Sequence, residues 1–424
     1  MEFTYTLRNV LLGSSILGAT GGAIGSFALL RRQSLLGDAL AHAALPGVCL
    51  AFLFTGAKEP MSLLVGALVA GVLGSLFILA VVRWSRVKED SAIGIVLSVF
   101  YGAGILLLTH IQKLPEGNQS GLDKYLFGNA SSLLAEDVQM MFVLSSVVLV
   151  VLGLFFKEFQ VLTFDRGYAS SIGMPVRTLE ILLTCLLVVV VMVGLQTVGV
   201  VLMVATLITP PAAARQWTDR LGRMILVSAL IGAGSGAVGA VASSHVTGLS
   251  TGPAIVLTSS TVLAASLLFS PSRGILWSAI RYRQVADRIR RENLLKDLWI
   301  AGERSGDWTQ RVSRPDLMGV RGQSSPQIEH FARRLTRERL VEPLETGWRL
   351  TEAGRGAAEG VVRKHRLWEL YLSRRLDLPP DHVHRDAEAM EHALSDEMLE
   401  HIEVALGHPT LDPHGRAIPP RRSP

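Results

Sequence analysis

Apolar positions form long, nearly unbroken runs through the first 270 residues and shorter helical or alternating patterns after that. Runs of about twenty residues, enough to cross roughly 30 Å of hydrocarbon at about 1.5 Å per residue, lie near 9–30, 35–56, 61–82, 91–111, 138–156, 178–195, 197–214, 223–244 and 253–270. They predict eight or nine membrane-spanning helices. Because apolar character returns so often, the first run reads as a span and not as a removable signal peptide. The stretch 178–214 is almost continuous, and Gly194 and Gly199, flanking Gln196, mark the place where it turns or breaks. Hydrocarbon cannot satisfy the backbone groups freed by a break, so this one must be buried in protein or beside a cavity.

Lys and Arg collect at Arg31 and Arg32, at Arg83, Arg86 and Lys88, at Lys157, Arg166 and Arg177, at Arg215, Arg220 and Arg223, and after residue 280. Positive charge stays on the cytoplasmic side. Keeping every cluster there asks for nine crossings with the N-terminus outside; eight crossings, with 178–214 as one tilted or re-entrant element, is the alternative. Pairs of glycines four apart, Gly18 with Gly22 and Gly232 with Gly236, predict helix backbones in close approach.

Composition sharpens the division. Residues 281–424 hold 25 of the 41 Lys and Arg and 23 of the 36 Asp and Glu, so the tail is far more charged than the front and expects water around it. The net charge of +5 follows as readily from cytoplasmic loops as from a nucleic-acid partner. The two cysteines, Cys49 and Cys185, lie inside apolar runs, which excludes a disulfide framework or a four-cysteine zinc site. The fold class expected is an all-α polytopic membrane protein over 1–280, then a mainly α cytoplasmic tail with a winged-helix part over 281–355 and a helical metal-binding part over 356–424.

Asp38 and His42 interrupt an apolar run in GDALAHAALPG. Four apart on a helix, they share one face, and carboxylate oxygen with imidazole nitrogen is a ligand pair for a divalent transition metal. Pro46, one turn on, would kink the helix and free a carbonyl. On chemistry alone, a helix-packing hydrogen bond between the two and an acid snorkelling beside Arg31 and Arg32 stand as alternatives. His110 and His245, near the outer ends of their spans, read as interfacial residues.

The run LLGDALAHAALPGVCLAF closely resembles the signature of the membrane permeases of ABC importers for manganese, zinc and iron, and FDRGYASSIGMPVR and VGVVLMVATLITPPAAAR resemble two further segments of that family. The resemblance covers roughly 7–272. It implies a metal path at Asp38 and His42. It also implies a coupling helix within Asp165 to Arg177, marked by Asp165, Arg166, Gly167, Ala169 and Gly173, that docks on an ATPase. The implied partners are that ATPase subunit, an extracytoplasmic metal-binding protein, and a second permease copy or paralogue, in a bacterial inner membrane. The chain has no Gly-x-x-x-x-Gly-Lys-Ser/Thr phosphate loop, so it is not itself expected to hydrolyse ATP.

In the tail, basic residues from Arg281 to Arg291 alternate with apolar ones at helical spacing, as on a helix against anionic lipid. Residues 308–355 read as helix, turn, helix and a short wing, with SSPQIEHFARRL opened by a serine cap and LVEPLETGWRLTEAG forming a hairpin before a new helix. His365 and Glu369 share one helical face; His384, Glu388, Glu391 and His392 form another stripe. Nitrogen and oxygen donors without thiolate suit Mn²⁺ or Fe²⁺, with Zn²⁺ competing on affinity; a solvated charged face is the alternative. Over roughly 290–420 the tail resembles the diphtheria-toxin-repressor family through TEAG, VVRKHRLWE, EHALSDEMLE and HPTLDPHGRAIP. By that resemblance His365, Glu388, Glu391 and His392 are primary-site ligands, while Glu369 and His384 belong to a second site. Glu388 stands where iron-sensing members have cysteine, which favours manganese. The acid ligands that manganese-sensing members carry on their first helix fall near Asn293 and Lys296. The presumed recognition helix carries Arg333 and Arg334 beside Glu329, which repels phosphates and weighs against DNA as a partner. The reading is a divalent-metal permease with a cytoplasmic metal-sensing tail; a membrane-tethered, metal-dependent transcription regulator is the alternative.

Overall fold

A computed structural model describes residues 5–33, 35–56, 60–113, 133–197, 199–246, 249–307, 312–321, 325–375, 392 and 394–421 of the chain. Two compact units emerge, Met1–Ser278 and Ala279–Pro424. The first is built of α1 (Tyr5–Leu30), α2 (Leu36–Thr55), α3 (Pro60–Trp84), α4 (Glu89–Gln112), α5 (Ala135–Leu154), the short α6 (Phe156–Phe164) and α7 (Arg166–Ser171), then α8 (Val176–Thr197), α9 (Val200–Trp217), α10 (Leu221–His245) and α11 (Thr251–Phe269).

Among the described residues, eight of these helices are long and apolar enough to cross a membrane: α1 to α5, α8, α10 and α11. The count lies within the eight or nine expected; α9 is the apolar run outside this set, with two internal prolines and a polar final turn at Arg215 and Gln216. The stretch 178–214 is not one element. It breaks at Gly199, which adopts φ 82°, a conformation that a β-carbon disfavours. The break sits in protein: α9 packs against α1, α2, α10 and α11. Leu106, Phe142 and Val147 on α4 and α5 are exposed, as suits a surface whose solvent is lipid.

Close backbone contact organises this unit. A β-carbon built on Gly18 would lie 2.1 Å from the carbonyl oxygen of Gly232, and one on Gly236 would lie 2.4 Å from that of Ser14. Small residues four apart on α1 and on α10 thus mesh along an antiparallel seam, which Ser14 and Ser228 close by donating to the carbonyls of Gly236 and Gly22 at 3.1 and 2.7 Å. On the neighbouring seam, Pro210 and Pro211 have no N–H to give the carbonyls of Thr206 and Leu207. Those two oxygens face Gly21 and Gly25 of α1, and at Gly25 only the missing β-carbon leaves room for the Leu207 carbonyl.

The second unit holds α12 (Ile275–Ser305) from its second turn onward, then β1 (Val312–Ser313), α13 (Arg314–Arg321), α14 (Ser325–Arg337), β2 (Val341–Leu344), β3 (Gly347–Leu350), α15 (Glu352–Arg375) and α16 (Asp396–Ala405). The strands pair antiparallel in the order β1-β3-β2, with Val341 opposite Leu350 and Val312 opposite Trp348. Helix, helix and hairpin follow the order that the sequence pattern predicts. Leu294, Leu298 and Trp299 of α12 meet Ile328, Phe331 and Leu335 of α14 and Trp348 of the hairpin in one core. The T-E-A-G motif has a local cause: Thr351 caps α15 by accepting from the Gly354 N–H at 2.9 Å, and a β-carbon on Gly354 would collide with the Leu340 carbonyl.

The α1–α10 seam yields a test. Gly18→Val should lower the yield of folded, monodisperse protein and destabilise it by about 3 kcal/mol, the upper end of overpacking costs. Gly153→Ala, whose added carbon meets open space, should melt with the parent in the same thermal assay of detergent-solubilised protein. Equal melting of both variants would refute the packing assignment.

Candidate metal path, coupling segment and cytoplasmic metal site

Helix α2 is buried from Leu36 to Cys49 except at two positions, Asp38 and His42. Alanines and leucines surround them and pack inward, so the two polar side chains share the one face that the rest of the subunit leaves partly open. His42 Nε2 lies 3.3 Å from Asp38 Oδ1, with 16% and 28% of the side chains exposed. Tyr101 of α4 stands edge-on to the imidazole, ring centroids 4.7 Å apart at 75°. His42 Nδ1 is buried and has no hydrogen-bond partner among the described residues. The helix runs on through Pro46 to Thr55. Since Pro46 lacks an N–H, it gives the His42 carbonyl no helical hydrogen bond. Carboxylate, imidazole and a carbonyl without its helical donor are thus concentrated within one turn, a donor set suited to a divalent transition metal. His110 is exposed in the last turn of α4, and His245, in the last turn of α10, sets Nδ1 2.8 Å from the Val241 carbonyl. Both stand at helix ends, away from this pair in sequence and in fold.

The helix in the candidate coupling segment is shorter than its sequence implies. Asp165 caps α7 by accepting from the Tyr168 N–H at 2.8 Å, Gly173 ends the turn at φ 79°, and Pro175 leads into α8, which already contains Arg177. The single helix expected from Asp165 to Arg177 is therefore a six-residue helix and a turn, because a left-handed glycine and a proline intervene. Ala169 is fully buried and anchors the segment; Arg166 and Gly167 are exposed, as are Phe164, Tyr168 and Ile172, which give the surface an apolar character. Its inner tie is a residue that sequence reasoning missed. Glu180 of α8, 12% exposed at its side chain, accepts from Arg166 at 3.1 Å and from Arg31 at 3.3 Å. One carboxylate thereby fixes the end of α1, the start of α7 and the first turn of α8. The only sequence signal for it is one acid just inside an apolar run.

In the tail, His365 Nε2 lies 3.0 Å from Glu369 Oε1, both side chains buried on α15. Lys296 of α12 brings its Nζ to 3.0 Å from His365 Nδ1. His392 places Nδ1 2.6 Å from Glu292 and Nε2 3.2 Å from Asn293. Asn293 and Lys296, where the resemblance expects acids, thus each meet an expected ligand, and Glu292 joins them unannounced by any motif. His384, Glu388 and Glu391 lie outside the described residues. Among the described residues no three His, Cys, Asp or Glu side chains gather closely enough to hold a metal. Arg333 pairs with Glu329 at 2.7 Å and Arg334 with Asp287 and Glu338 at 3.8 Å. The Arg333 hydrogen bond holds the Glu329 carboxyl below the usual carboxylate range, so Glu329 stays ionised beside it.

The family model for the ABC 3 transport family matches residues 3–270. The chain belongs to that family. A second model, the iron-dependent repressor metal-binding and dimerisation domain, matches residues 351–420 of this permease. The permease is 44% identical over 87% of its length to the manganese transport system membrane protein MntC of Bacillus subtilis (strain 168), covering 84% of that protein. It is 46% identical over 66% of its length to the zinc transport system membrane protein TroC of Treponema pallidum (strain Nichols), covering 95% of it. Among solved structures, PsaBC from Streptococcus pneumoniae in complex with Fab shares 33% identity with a TM-score of 0.57, covering 64% of this chain and 94% of that one. The permease is therefore a multi-pass membrane protein with a repressor-like tail, and its relatives are transporter membrane subunits, not enzymes.

Glu180→Gln should preserve the fold but loosen the Arg31 and Arg166 ties, at a cost of about 1–3 kcal/mol for leaving partly buried charges without their anion. Thermal unfolding of the solubilised permease measures this; a melting temperature equal to the parent's would dismiss Glu180 as the tie.

Proposed function

We propose that this permease imports a divalent transition metal, manganese by preference and zinc or ferrous iron as variations, along a path that passes Asp38 and His42. The observation that carries the reading is the acid–imidazole pair on the one open face of an otherwise buried α2, with His42 Nδ1 lacking a partner among the described residues. An ionisable pair in lipid costs at least about 2.5–3.5 kcal/mol for the acid alone on insertion scales. A passing cation offsets that cost where acyl chains do not. The open face also fits a path shared with a second permease copy or paralogue. Relatives named for manganese and zinc transport support the cargo class.

Energy comes from a separate ATPase subunit, because the chain carries no phosphate loop. Its docking surface is the exposed apolar rim around Asp165 to Gly173, and Glu180 transmits the resulting shift to α1 and α8. An extracytoplasmic binding protein delivers the ion. The tail reads cytosolic metal through His365, Glu369, His384, Glu388, Glu391 and His392, and feeds back on uptake. The regulator reading draws on the helix, helix and wing of α13, α14 and β2–β3. Arg333 and Arg334, however, are already paired with carboxylates, which supports sensing over DNA binding.

Uptake of radiolabelled Mn²⁺ in cells carrying Asp38→Ala or His42→Ala should fall to background, at least about tenfold below the parent, since removing a ligand leaves the buried partner uncompensated. Undiminished uptake at equal membrane abundance would end the proposal.

A further inference from the structure

An ammonium sheds its hydration only at a cost and is rarely found in a core without partners, yet Lys296 is 1% exposed. It reaches from α12 to α15, where its Nζ lies 3.0 Å from His365 Nδ1. The far side of the same ring is engaged as well, since His365 Nε2 lies 3.0 Å from Glu369 Oε1. Donor and acceptor roles fix what this row can do. An ammonium only donates, so Nδ1 presents its lone pair to Lys296, and the ring proton sits on Nε2 and is donated to Glu369. In that tautomer neither ring nitrogen has a lone pair to spare. In the other tautomer Nε2 is bare, but an Nδ1–H then points at an ammonium, donor against donor. A divalent ion on His365 and the Lys296 ammonium at its present position are mutually exclusive.

We propose that Lys296 is a tethered competitor for metal: its ammonium fills the cation position at His365, and a divalent ion binds there only by displacing it. The inference rests on the reading of the tail as a metal sensor and deepens it, because the competitor sets the concentration at which the tail responds. A side chain held on its own backbone competes at an effective concentration of about millimolar or above. In the lysine-filled state the Lys296–His365 contact joins α12 to α15 without metal. Metal binding exchanges one cation for another and releases Lys296 from α15. The exchange acts on α12, the helix that begins at Ile275 in the membrane unit. The device answers to metal excess, since scarce metal leaves the lysine in place.

The test uses the full chain in detergent with Asp38→Ala and His42→Ala, so that the membrane pair does not bind. Calorimetric Mn²⁺ titration should give at least about tenfold tighter binding for Lys296→Gln, and for Lys296→Met, than for the lysine-bearing chain, and His365→Ala should abolish the gain. The lysine-bearing chain provides a readout that no misfolded variant can obscure: amine-reactive labelling, read by mass spectrometry, should find Lys296 protected without Mn²⁺ and modified with it. Equal affinities in the three chains, or Lys296 equally protected with Mn²⁺ bound, would overturn the competitor. No Mn²⁺ binding by any of the three would instead overturn the sensor reading, and the competitor with it.

Discussion

Two helix backbones in direct contact, with no side chain between them, set the geometry of the membrane unit. Hydrocarbon supplies no hydrophobic drive between helices, so α1 and α10 are held by van der Waals contact and the two serine hydrogen bonds across their seam. The remaining positions follow from that seam. With α1 fixed, Gly25 receives the Leu207 carbonyl of α9, and a Leu207 methyl in turn lies where a β-carbon on Gly37 of α2 would intrude. Gly37 precedes Asp38. The acid at the start of the proposed path is therefore positioned through two successive close contacts, neither of which involves a charged group.

Electrostatics takes over where water replaces lipid. Helix α15 itself carries buried cations: Arg366 pairs with Glu303 at 2.6 Å and Asp412 at 3.5 Å, donates to the Ala417 carbonyl, and lies over the Trp299 ring. Arg363 donates to the Pro419 carbonyl and pairs with Glu403, whose carboxyl it holds below the usual range. These contacts explain the HPTLDPHGRAIP run: Asp412 accepts from the backbone of His414 and Arg416 and folds the segment into a loop that clasps α15. Buried ion pairs add little stability over apolar packing of the same volume, but breaking one is expensive. They fix the register of α15 against its neighbours, and so the places of His365 and Glu369. Lys296, a third buried cation, reaches in from α12 and contacts His365, an expected metal ligand.

The relation between the two chemistries clarifies why a sensor suits this permease. On the proposed path the membrane pair lets an ion pass, which suits a few ligands on an open face. A sensing site must discriminate concentration, which the proposed competitor would set without a tighter or looser ligand set. The same ligand types, carboxylate and imidazole four apart on a helix, occur in both places. Burial and the neighbouring cation distinguish their surroundings.

What the sequence by itself determined was whatever depends on neighbours within one or two turns. Apolar length specified the spans, four-residue glycine spacing announced the α1–α10 seam, and the Asp38/His42 and His365/Glu369 pairs were legible because a helix brings positions four apart onto one face. The break in 178–214 was legible at Gly199 for the same local reason, whereas the shortness of the helix after Asp165 turned on a left-handed glycine and a proline that hydropathy does not weigh. Tertiary structure alone decided the long-range partners. Glu180 meets Arg31 149 residues away, His392 meets Glu292 100 residues away, and Lys296 meets His365 across 69 residues. A charge carries no mark of its partner along the chain; only the folded packing, by excluding water around it, dictates which opposite or lone-pair-bearing group it must find.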